Sequence, residues 1–409
     1  MPLPGYNPYT PGAGLYPPFL AGREVAIRRV EDVRLRIEDG GGSSPLVVVG
    51  VRGMGKTSLL LHFSDQLSNQ GWLVPPLQEI DSRRRFGSTW IALRAWLTEH
   101  TPGRNLPKQK RWQSGAVTWN AGIEAAPTGP KARAGAGGSL DRVPAEPAGE
   151  ELRRDVYAVL SRLAEDGVRV ALLFDETQDA RIDELGLLAE LGQDAAKGRW
   201  PLLTVFGGLT PLSSRLVRAR SYASHFETLE VGPLVGEAPR EALRRPAEDR
   251  GVTFTESGLG VAVAFAQGIP YHLQVIGQKA WERSEGSITD AEVHAAESPA
   301  REAIEASMYR PLWDRASEAE QAYMLAMAKS DRNQYGAHVR EVLDRLRTSH
   351  AVGAQTRARL IQKGMVHSVR HGFIDFSYPG FAAFAELQVL STRRRATRPH
   401  SPGTENGHE

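Results

Sequence analysis

The sequence LVVVGVRGMGKT occupies residues 46–57 and decides the fold class of the chain. Four apolar residues lead into a loop with three glycines, and apolar positions then return at Leu60, Phe63 and Leu67. An apolar run followed by apolar residues three or four positions apart is typical of a buried strand followed by a helix. The stretch therefore predicts a strand, a glycine-rich loop and a helix in direct succession.

The loop at residues 50–57 fits the pattern GxxxxGK[ST], in which backbone N–H groups curl around the phosphates of a nucleotide. In this pattern the lysine, Lys56, reaches the β- and γ-phosphates, and the hydroxyl of Thr57 binds Mg²⁺. A chance glycine-rich turn is the alternative, but it does not account for the strand and the helix on either side. The predicted nucleotide-binding residues of this loop are Gly50, Gly53, Gly55, Lys56, Thr57 and Ser58.

A second motif supplies carboxylates. Residues 168–174 are a nearly continuous apolar run, which predicts a strand buried on both faces of a parallel sheet, and the run ends in Asp175-Glu176. Asp175 would hold Mg²⁺ directly or through water, and Glu176 would orient and polarise the water that attacks the γ-phosphate. Two acidic residues after a strand can also merely open a loop or cap the next helix, but the upstream phosphate loop favours the catalytic interpretation. The predicted ligands are ATP and Mg²⁺, the predicted catalytic residues are Glu176, Lys56 and Asp175, and the predicted metal ligands are Thr57 and Asp175.

The composition narrows the class of protein. With 409 residues, 41% of them hydrophobic, the chain is long enough for two or three domains. It contains no run of about 18 apolar residues that could span a membrane, and residues 1–16 lack the basic and then apolar pattern of a signal peptide. We therefore expect a cytoplasmic protein without a membrane segment. The absence of cysteine excludes disulfides and thiolate zinc sites, and the 11 histidines show no HExxH-like spacing.

The charge gives no global argument for a nucleic-acid partner, because the formal net charge is only +2. The densest basic runs are three arginines at residues 83–85 and three at residues 393–395. Together with the abundance of Ala, Gly and Pro, this preference for arginine is typical of the codon bias of a GC-rich genome. We take codon bias as the explanation of these runs.

Changes in composition divide the chain into five segments. Residues 1–21 are predicted to be an extended N-terminal arm, and residues 22–232 an α/β core with the parallel sheet of P-loop nucleotidases, including a strand over residues 72–80. Residues 101–149, rich in Gly, Pro and Ala, are expected to form a flexible insertion with one short strand around residues 117–123. The remaining predicted segments are a helical lid at 233–306, a winged helix at 307–388 and a disordered basic tail at 389–409.

The winged helix is predicted from three helices followed by a hairpin at residues 365–369 and 373–376. The third helix carries four side chains that could enter a major groove of duplex DNA while Arg370, in the wing, contacts the backbone. The same fold also serves as a protein-contact module, and basic residues on an exposed helix are often only solvated. DNA contact and protein contact therefore stay open, and the four candidate groove residues are Gln355, Arg357, Arg359 and Lys363.

The order of these motifs resembles a known family. Gly22-Arg23-Glu24, the two nucleotide motifs, a lid with Gly268-Ile269-Pro270 and a C-terminal winged helix resemble the bacterial and archaeal AAA-type ATPases related to replication-origin initiators and to STAND ATPases. The resemblance covers about residues 15–388 without the insertion. It implies that Arg23 lies beside the adenine base and that Pro270 packs near it, although a simple helix break also explains the proline. It further implies an arginine finger that acts on a neighbouring subunit, and Arg218 and Arg220 match this area, with surface solvation as the alternative.

Two departures from the family bear on the rate of hydrolysis. Where initiators carry a sensor arginine in the lid, this chain has Tyr271 or His272, and where they carry a polar sensor after a core strand it has Gly207-Gly208. Thr204 and Thr210 are weak substitutes for that polar sensor. The resemblance thus implies slow hydrolysis, in an ATP-gated switch that assembles with a protein partner or with a second copy of the chain.

Two other functions remain as alternatives. One is an initiator-like ATPase that binds duplex DNA through the winged helix. The other is a regulator in which the nucleotide is structural and is never hydrolysed. The intact Asp175-Glu176 pair argues against the second, because a purely structural site needs no carboxylate that activates water.

Overall fold

A five-stranded parallel sheet forms the centre of the nucleotide-motif segment. The computed structural model describes residues 6–12, 14–81, 83–104, 106–107, 149–333 and 335–396, and in residues 389–396 only the backbone. The strands follow the order β2-β3-β4-β1-β5 across the sheet, and every pairing is parallel. They are β1 (Leu46–Val49), β2 (Gln78–Glu79), β3 (Val170–Asp175), β4 (Leu202–Gly208) and β5 (Glu227–Glu230).

The two edge strands differ from the central three. All residues of β1, β3 and β4 are buried, as their apolar runs predict, whereas burial alternates along β5. The strand predicted over residues 72–80 is only partly formed. Leu73 pairs with Val170 as an isolated bridge and regular pairing resumes only at Gln78, because Pro75 and Pro76 have no N–H to donate to a ladder.

Helices cover both faces of the sheet. The helices α1 (Glu24–Glu38) and α2 (Lys56–Asn69) share one apolar core with one face of the strands. The opposite face packs against the other four helices of this segment, and Trp90, Leu93 and Leu97 of one of them are buried there. These four helices are α3 (Phe86–His100), α4 (Gly149–Glu165), α5 (Ile182–Lys197) and α6 (Leu212–Ala219). The strand predicted around residues 117–123 lies outside the described residues.

Four helices follow the sheet and form the segment predicted to be a lid. They are α7 (Ala238–Glu248), α8 (Glu256–Ala266), α9 (Pro270–Trp281) and α10 (Asp290–Ile304), and the short strands β6 (Thr253–Phe254) and β7 (Ser287–Ile288) pair beside them. A capping box begins α10, since Thr289 and Glu292 bond reciprocally there. A π-helical turn at Glu305–Tyr309 and the helix α11 (Arg310–Arg315) then lead out of the lid, and we call residues 305–315 the junction.

The C-terminal region, residues 316–396, contains the helices and the hairpin expected from the sequence. They are α12 (Glu318–Lys329), α13 (Val339–Leu346) and α14 (His350–Gln362), followed by β10 (Val366–Arg370) and β11 (Phe373–Phe376). Two strands not predicted, β8 (Arg332–Asn333) and β9 (Gly336–His338), complete an antiparallel sheet in the order β10-β11-β9-β8.

A helix occupies the first residues of the segment that was predicted to be a disordered tail from residue 389. The helix α15 (Phe381–Ala396) continues through residues 389–396, so a disordered start at residue 389 is wrong, and residues 397–409 lie outside the described part of the chain. Phe381 and Phe384 anchor α15 in the core of the C-terminal region, which explains why helix replaces the expected coil. Across the described residues, no helix is both long and apolar enough to cross a membrane.

Candidate nucleotide-binding site

The glycine-rich loop connects β1 to α2 and adopts a conformation that only glycine tolerates well. Gly53 and Gly55 have φ angles of 80° and 82°, in the left-handed region. A Cβ atom at Gly50 would lie 2.2 Å from the carbonyl oxygen of Val231. The three glycines predicted from the pattern are thus each required by backbone shape or by close packing, and they leave the N-terminal end of α2 open to an anion.

Lys56 is the first residue of α2, and its side chain is only 7% exposed. Its ammonium group donates a hydrogen bond of 3.1 Å to the carbonyl of Val51 within the loop. Burial lowers the pKa of Lys56, while the nearby carboxylates of Glu176 and Asp175 oppose this change. A buried cation at the mouth of a helix N-terminus is suited to a phosphate chain, which would supply the missing counter-charge.

The two predicted metal ligands lie together. The Thr57 hydroxyl donates to Oδ2 of Asp175 at 2.5 Å, and Oδ1 of Asp175 accepts the backbone N–H of Glu176 at 2.8 Å. No cluster of three or more His, Cys, Asp or Glu side chains that could hold a metal occurs in the described parts of the chain. One hydroxyl and one carboxylate fit Mg²⁺, which keeps several waters and takes its other oxygens from a nucleotide.

Glu176 follows Asp175 at the end of β3 and has a φ of 48°, in the left-handed region. Its Oε2 accepts a hydrogen bond of 2.5 Å from the side-chain amide of Gln178. Its Oε1 lies 3.9 Å from Nη2 of Arg52, a residue of the phosphate loop. The carboxylate therefore has two partners, and it lines the same cavity as Lys56.

That cavity has a volume of about 600 Å³, within the range of small-molecule sites. Five parts of the chain line it, namely the arm, Arg23 at the start of α1, the phosphate loop with Glu176, the lid and the junction. The arm contributes Leu15, Pro17 and Phe19, whereas the lid contributes Pro270 and Tyr271. The cavity thus joins an apolar compartment to the polar phosphate loop.

The two residues that the family resemblance placed beside the base both line this cavity. The guanidinium of Arg23 donates to the carbonyls of Met54, at 2.9 Å, and Gly232, at 2.7 Å. Burial lowers the pKa of Arg23, with a smaller opposing effect of Glu24. Pro270 is the first residue of α9, so it both begins a helix and faces the cavity. Contact of either residue with adenine stays a prediction.

Of the four residues at the positions expected to carry sensors, only one lines the cavity. Tyr271 lines the cavity and donates its backbone N–H to the Gly53 carbonyl at 3.2 Å, but His272 is buried within the lid. Thr204 is buried inside β4 and Thr210 is exposed, and neither lines the cavity. Among the described residues of the lid, those that line the cavity are uncharged.

The two arginine-finger candidates lie at the end of α6, away from the cavity lining. Arg220 is already engaged inside the chain, since its Nε and Nη2 atoms lie 2.6 and 2.5 Å from Oε1 of Glu190. Arg218 is exposed and makes no ion pair with any described residue. Of the two, Arg218 is the one whose side chain is available to a neighbouring subunit.

Sequence reasoning missed three contributors to the site. Arg52 and Gln178 flank Glu176, and a polar side chain two positions after the acidic pair was the signal for Gln178. The arm was expected to be only extended, yet Tyr9 is buried against Trp281 and its hydroxyl donates to the carbonyl of Leu243. The many Tyr and Pro residues of the arm, which favour packing over solvation, could have indicated this.

Comparisons with known proteins agree with this geometry. Residues 20–205 match the AAA ATPase domain family, and residues 306–385 match a family described as a domain of unknown function, DUF8462. Among curated proteins, none matches the chain.

Solved structures with a similar fold include a Walker-type ATPase of Pyrococcus abyssi. It has 16% sequence identity and a TM-score of 0.57, and the match covers 90% of this chain and 96% of that one. The ORC2 protein of Aeropyrum pernix, in ADPNP–ADP complexes, has 13% identity and a TM-score of 0.56, with 94% and 98% of the two chains covered. At these identities the two structures establish the fold alone. Together with the family match, they identify residues 20–205 as an AAA-type P-loop ATPase domain.

Proposed function

We propose that the chain is an ATP-dependent switch. It binds ATP with Mg²⁺, hydrolyses it slowly, and uses the nucleotide state to set the position of the C-terminal region. That position would control assembly with a protein partner or with a second copy of the chain. We also infer that the C-terminal region is a winged helix, on the basis of its three helices followed by the hairpin β10–β11.

The chemistry would follow from the groups around the cavity. Lys56 and the loop N–H groups would bind the phosphates, and Thr57 with Asp175 would hold Mg²⁺, which would supply positive charge to the phosphate chain. Glu176 orients the attacking water and accepts its proton. Slow turnover is expected because Tyr271 stands where a lid arginine would stabilise the charge of the transition state.

The proposed coupling between the nucleotide and the C-terminal region rests on one observation. The cavity that holds the phosphate loop is also lined by the junction, through Ser307, Met308, Leu312 and Arg315. A Cβ atom at Gly53 would lie 3.0 Å from Cε of Met308, so the junction packs directly on the loop. A nucleotide in this cavity would touch the segment that leads into the C-terminal region.

Two further contacts support this coupling. The Tyr271 hydroxyl hydrogen-bonds with the Ser307 hydroxyl at 2.6 Å, so the lid and the junction are joined above the loop. Arg52 lies beside the buried hydroxyl of Tyr378, and burial raises the pKa of Tyr378 to about 12, an effect that Arg52 partly opposes. Arg52 of the phosphate loop therefore lies near both Glu176 and Tyr378, a residue of the C-terminal region.

Hydrogen exchange of the full chain tests the switch. We expect the junction to exchange at different rates in saturating ADP and in a saturating non-hydrolysable ATP analogue, because only the latter places a γ-phosphate beside Arg52 and Glu176. Lys56→Ala is the control, since loss of its charge should greatly weaken binding of labelled ATP and remove the difference. Identical exchange with the two nucleotides, at confirmed saturation, would rule out the coupling.

A DNA-binding ATPase is the second candidate. The observation in its favour is that Arg357 and Arg359 on α14 have no ion-pair partner among the described residues. Two other predicted contact residues are already used within the chain. Lys363 pairs with Glu320 at 2.6 Å, and Arg370 stacks on two aromatic rings of the C-terminal region. The available basic surface is therefore smaller than the sequence suggested.

A further inference from the structure

Gln178 connects the candidate catalytic carboxylate to the end of a neighbouring strand. Its side chain is 7% exposed and lies in the single turn that follows β3. The amide nitrogen donates to Oε2 of Glu176 at 2.5 Å, and the amide oxygen accepts the backbone N–H of Leu209 at 2.9 Å. Both ends of the amide are thus used, one on Glu176 and one just beyond β4.

The glycine pair at the end of β4 makes room for this arrangement. A Cβ atom at Gly208 would lie 2.5 Å from the Gln178 amide oxygen, and one at Gly207 would lie 3.2 Å from Oδ1 of Asp175. A side chain at Gly208 would therefore displace Gln178. The absence of a side chain at Gly208 therefore leaves the room in which the Gln178 amide lies beside Glu176.

Leu209 also contacts the C-terminal region. Its side chain is buried, and its Cδ1 would lie 2.3 Å from a Cβ atom at Gly364, which follows α14 with a φ of 65°. The same residue thus gives its backbone N–H to Gln178 and its side chain to the end of α14. A shift of the C-terminal region would move the group that holds Gln178.

We propose that Gln178 is a positioning residue for ATP hydrolysis, which fixes the Glu176 carboxylate and links its orientation to the docking of the C-terminal region at Leu209. The proposal rests on the proposed function, with Glu176 as the base. With Oε2 held by Gln178, Oε1 is the oxygen available to the attacking water. Release of Leu209 would free the carboxylate to rotate, and misplacement of a catalytic group by about 1 Å can cost on the order of 100-fold in rate.

Two substitutions of Gln178 test the positioning. Gln178→Met keeps the length and removes both hydrogen bonds, so we expect kcat for phosphate release to fall by about 10- to 100-fold with KM for ATP unchanged. Gln178→Asn keeps an amide donor and an amide acceptor on a side chain that is one methylene shorter. We therefore expect Gln178→Asn to recover part of the kcat that Gln178→Met loses, again with KM for ATP unchanged.

These readouts separate positioning from a structural role. A structural role alone would lower the unfolding midpoint of both variants without a selective loss of kcat in the folded protein. An unchanged kcat in Gln178→Met beside an active wild type would overturn the inference while the proposed function stands. Absence of phosphate release from the wild type, despite ATP binding, would overturn both.

A double-mutant cycle tests the link to the C-terminal region. Leu209→Ala should lower kcat in the wild type but cause no further loss in Gln178→Met, because both changes act on the same hydrogen-bonded unit. Leu216→Ala is the matched control, since Leu216 is a buried leucine on α6 that contacts neither Gln178 nor Gly364. It should leave kcat within about twofold in either background. Equal losses from Leu209→Ala in both backgrounds would overturn the link.

Discussion

At the scale of single residues, Glu176 is placed by a turn. Its left-handed backbone, with φ at 48°, turns the carboxylate out of the line of β3 and into the cavity. A non-glycine residue in this region costs on the order of 1–3 kcal/mol and persists where the surroundings enforce it. Here the hydrogen bonds of Asp175 to the Glu176 backbone and of Gln178 to its side chain do so.

Glu176→Gln should retain ATP binding and lower phosphate release by about 100-fold or more, because an amide cannot accept a proton from the attacking water. Steady-state phosphate release and titration with labelled ATP measure the two quantities separately. Glu190→Gln is the control, since Glu190 is a carboxylate of the same domain that pairs with Arg220 away from the cavity. Equal turnover in the wild type and in Glu176→Gln would remove Glu176 from the mechanism.

His272 should make the stability of the chain depend on pH. Burial lowers its pKa to about 4, and a hydrogen bond with Ala266 only partly offsets this. Because the folded pKa lies below the unfolded value of about 6.5, stability is fully present above pH 6.5 and is lost as the pH falls toward 4. The loss attributable to His272 at pH 5 should be about 2 kcal/mol.

Urea unfolding at pH 7 and pH 5 measures this dependence. His272→Gln, which cannot titrate, should lose correspondingly less stability between the two pH values than the wild type. The same loss in both proteins would show that other groups dominate acid unfolding.

The residues of the two nucleotide motifs could be predicted because each motif is local. Lys56 and Thr57 follow the loop glycines directly, and Asp175 and Glu176 end one strand, so parallel pairing alone brings them to the same edge of the sheet. Tyr378 beside Arg52 and Gly364 against Leu209 depend instead on how distant segments pack. Short-range patterns carry no information about such contacts.

At the scale of elements, periodicity predicted the buried strands and the amphipathic helices, and it failed where burial is incomplete. Burial alternates along β5, and its polar residues concealed the strand in the sequence. Two prolines precede β2 and limit it to two residues of the predicted strand. The helix α15 was missed because its last turns resemble a basic tail. These are edge and terminal elements, which a sequence pattern describes least well.

The two arginines of α14, the half-buried Arg357 and the exposed Arg359, should give only weak binding to duplex DNA. If Arg357 and Arg359 contact phosphates, the affinity should fall with salt with a log–log slope of about −0.9 for each contact. Replacing both with Ala should then lower the affinity and flatten the slope, whereas Arg345→Ala should change little, because Arg345 pairs with Glu341. Fluorescence anisotropy over a salt series measures this. Tight, sequence-selective binding at physiological salt would instead favour the DNA-binding function.

At the scale of the whole molecule, the exposed position of Arg218 leaves its side chain free for the predicted role of arginine finger in a neighbouring subunit. If a neighbouring subunit receives this arginine, phosphate release per chain should rise with protein concentration, and Arg218→Ala should remove that rise without weakening ATP binding. Arg220→Ala should mainly lower stability, since it breaks the ion pair with Glu190. Concentration-independent turnover by a chain that stays monomeric with ATP would exclude a finger supplied by a neighbour.

The attachment of the arm to the rest of the chain bears on how long ADP stays bound. It is attached to the lid through Tyr9 and to α2 through Tyr16, whose hydroxyl lies 2.6 Å from Nδ1 of His62, and the residues between them line the cavity. Departure of ADP would then require the arm to detach, so its detachment would set the residence time of the nucleotide. A chain lacking residues 1–16 should release a fluorescent ADP analogue faster in a stopped-flow chase, while an unchanged rate would mean that the nucleotide leaves by another route.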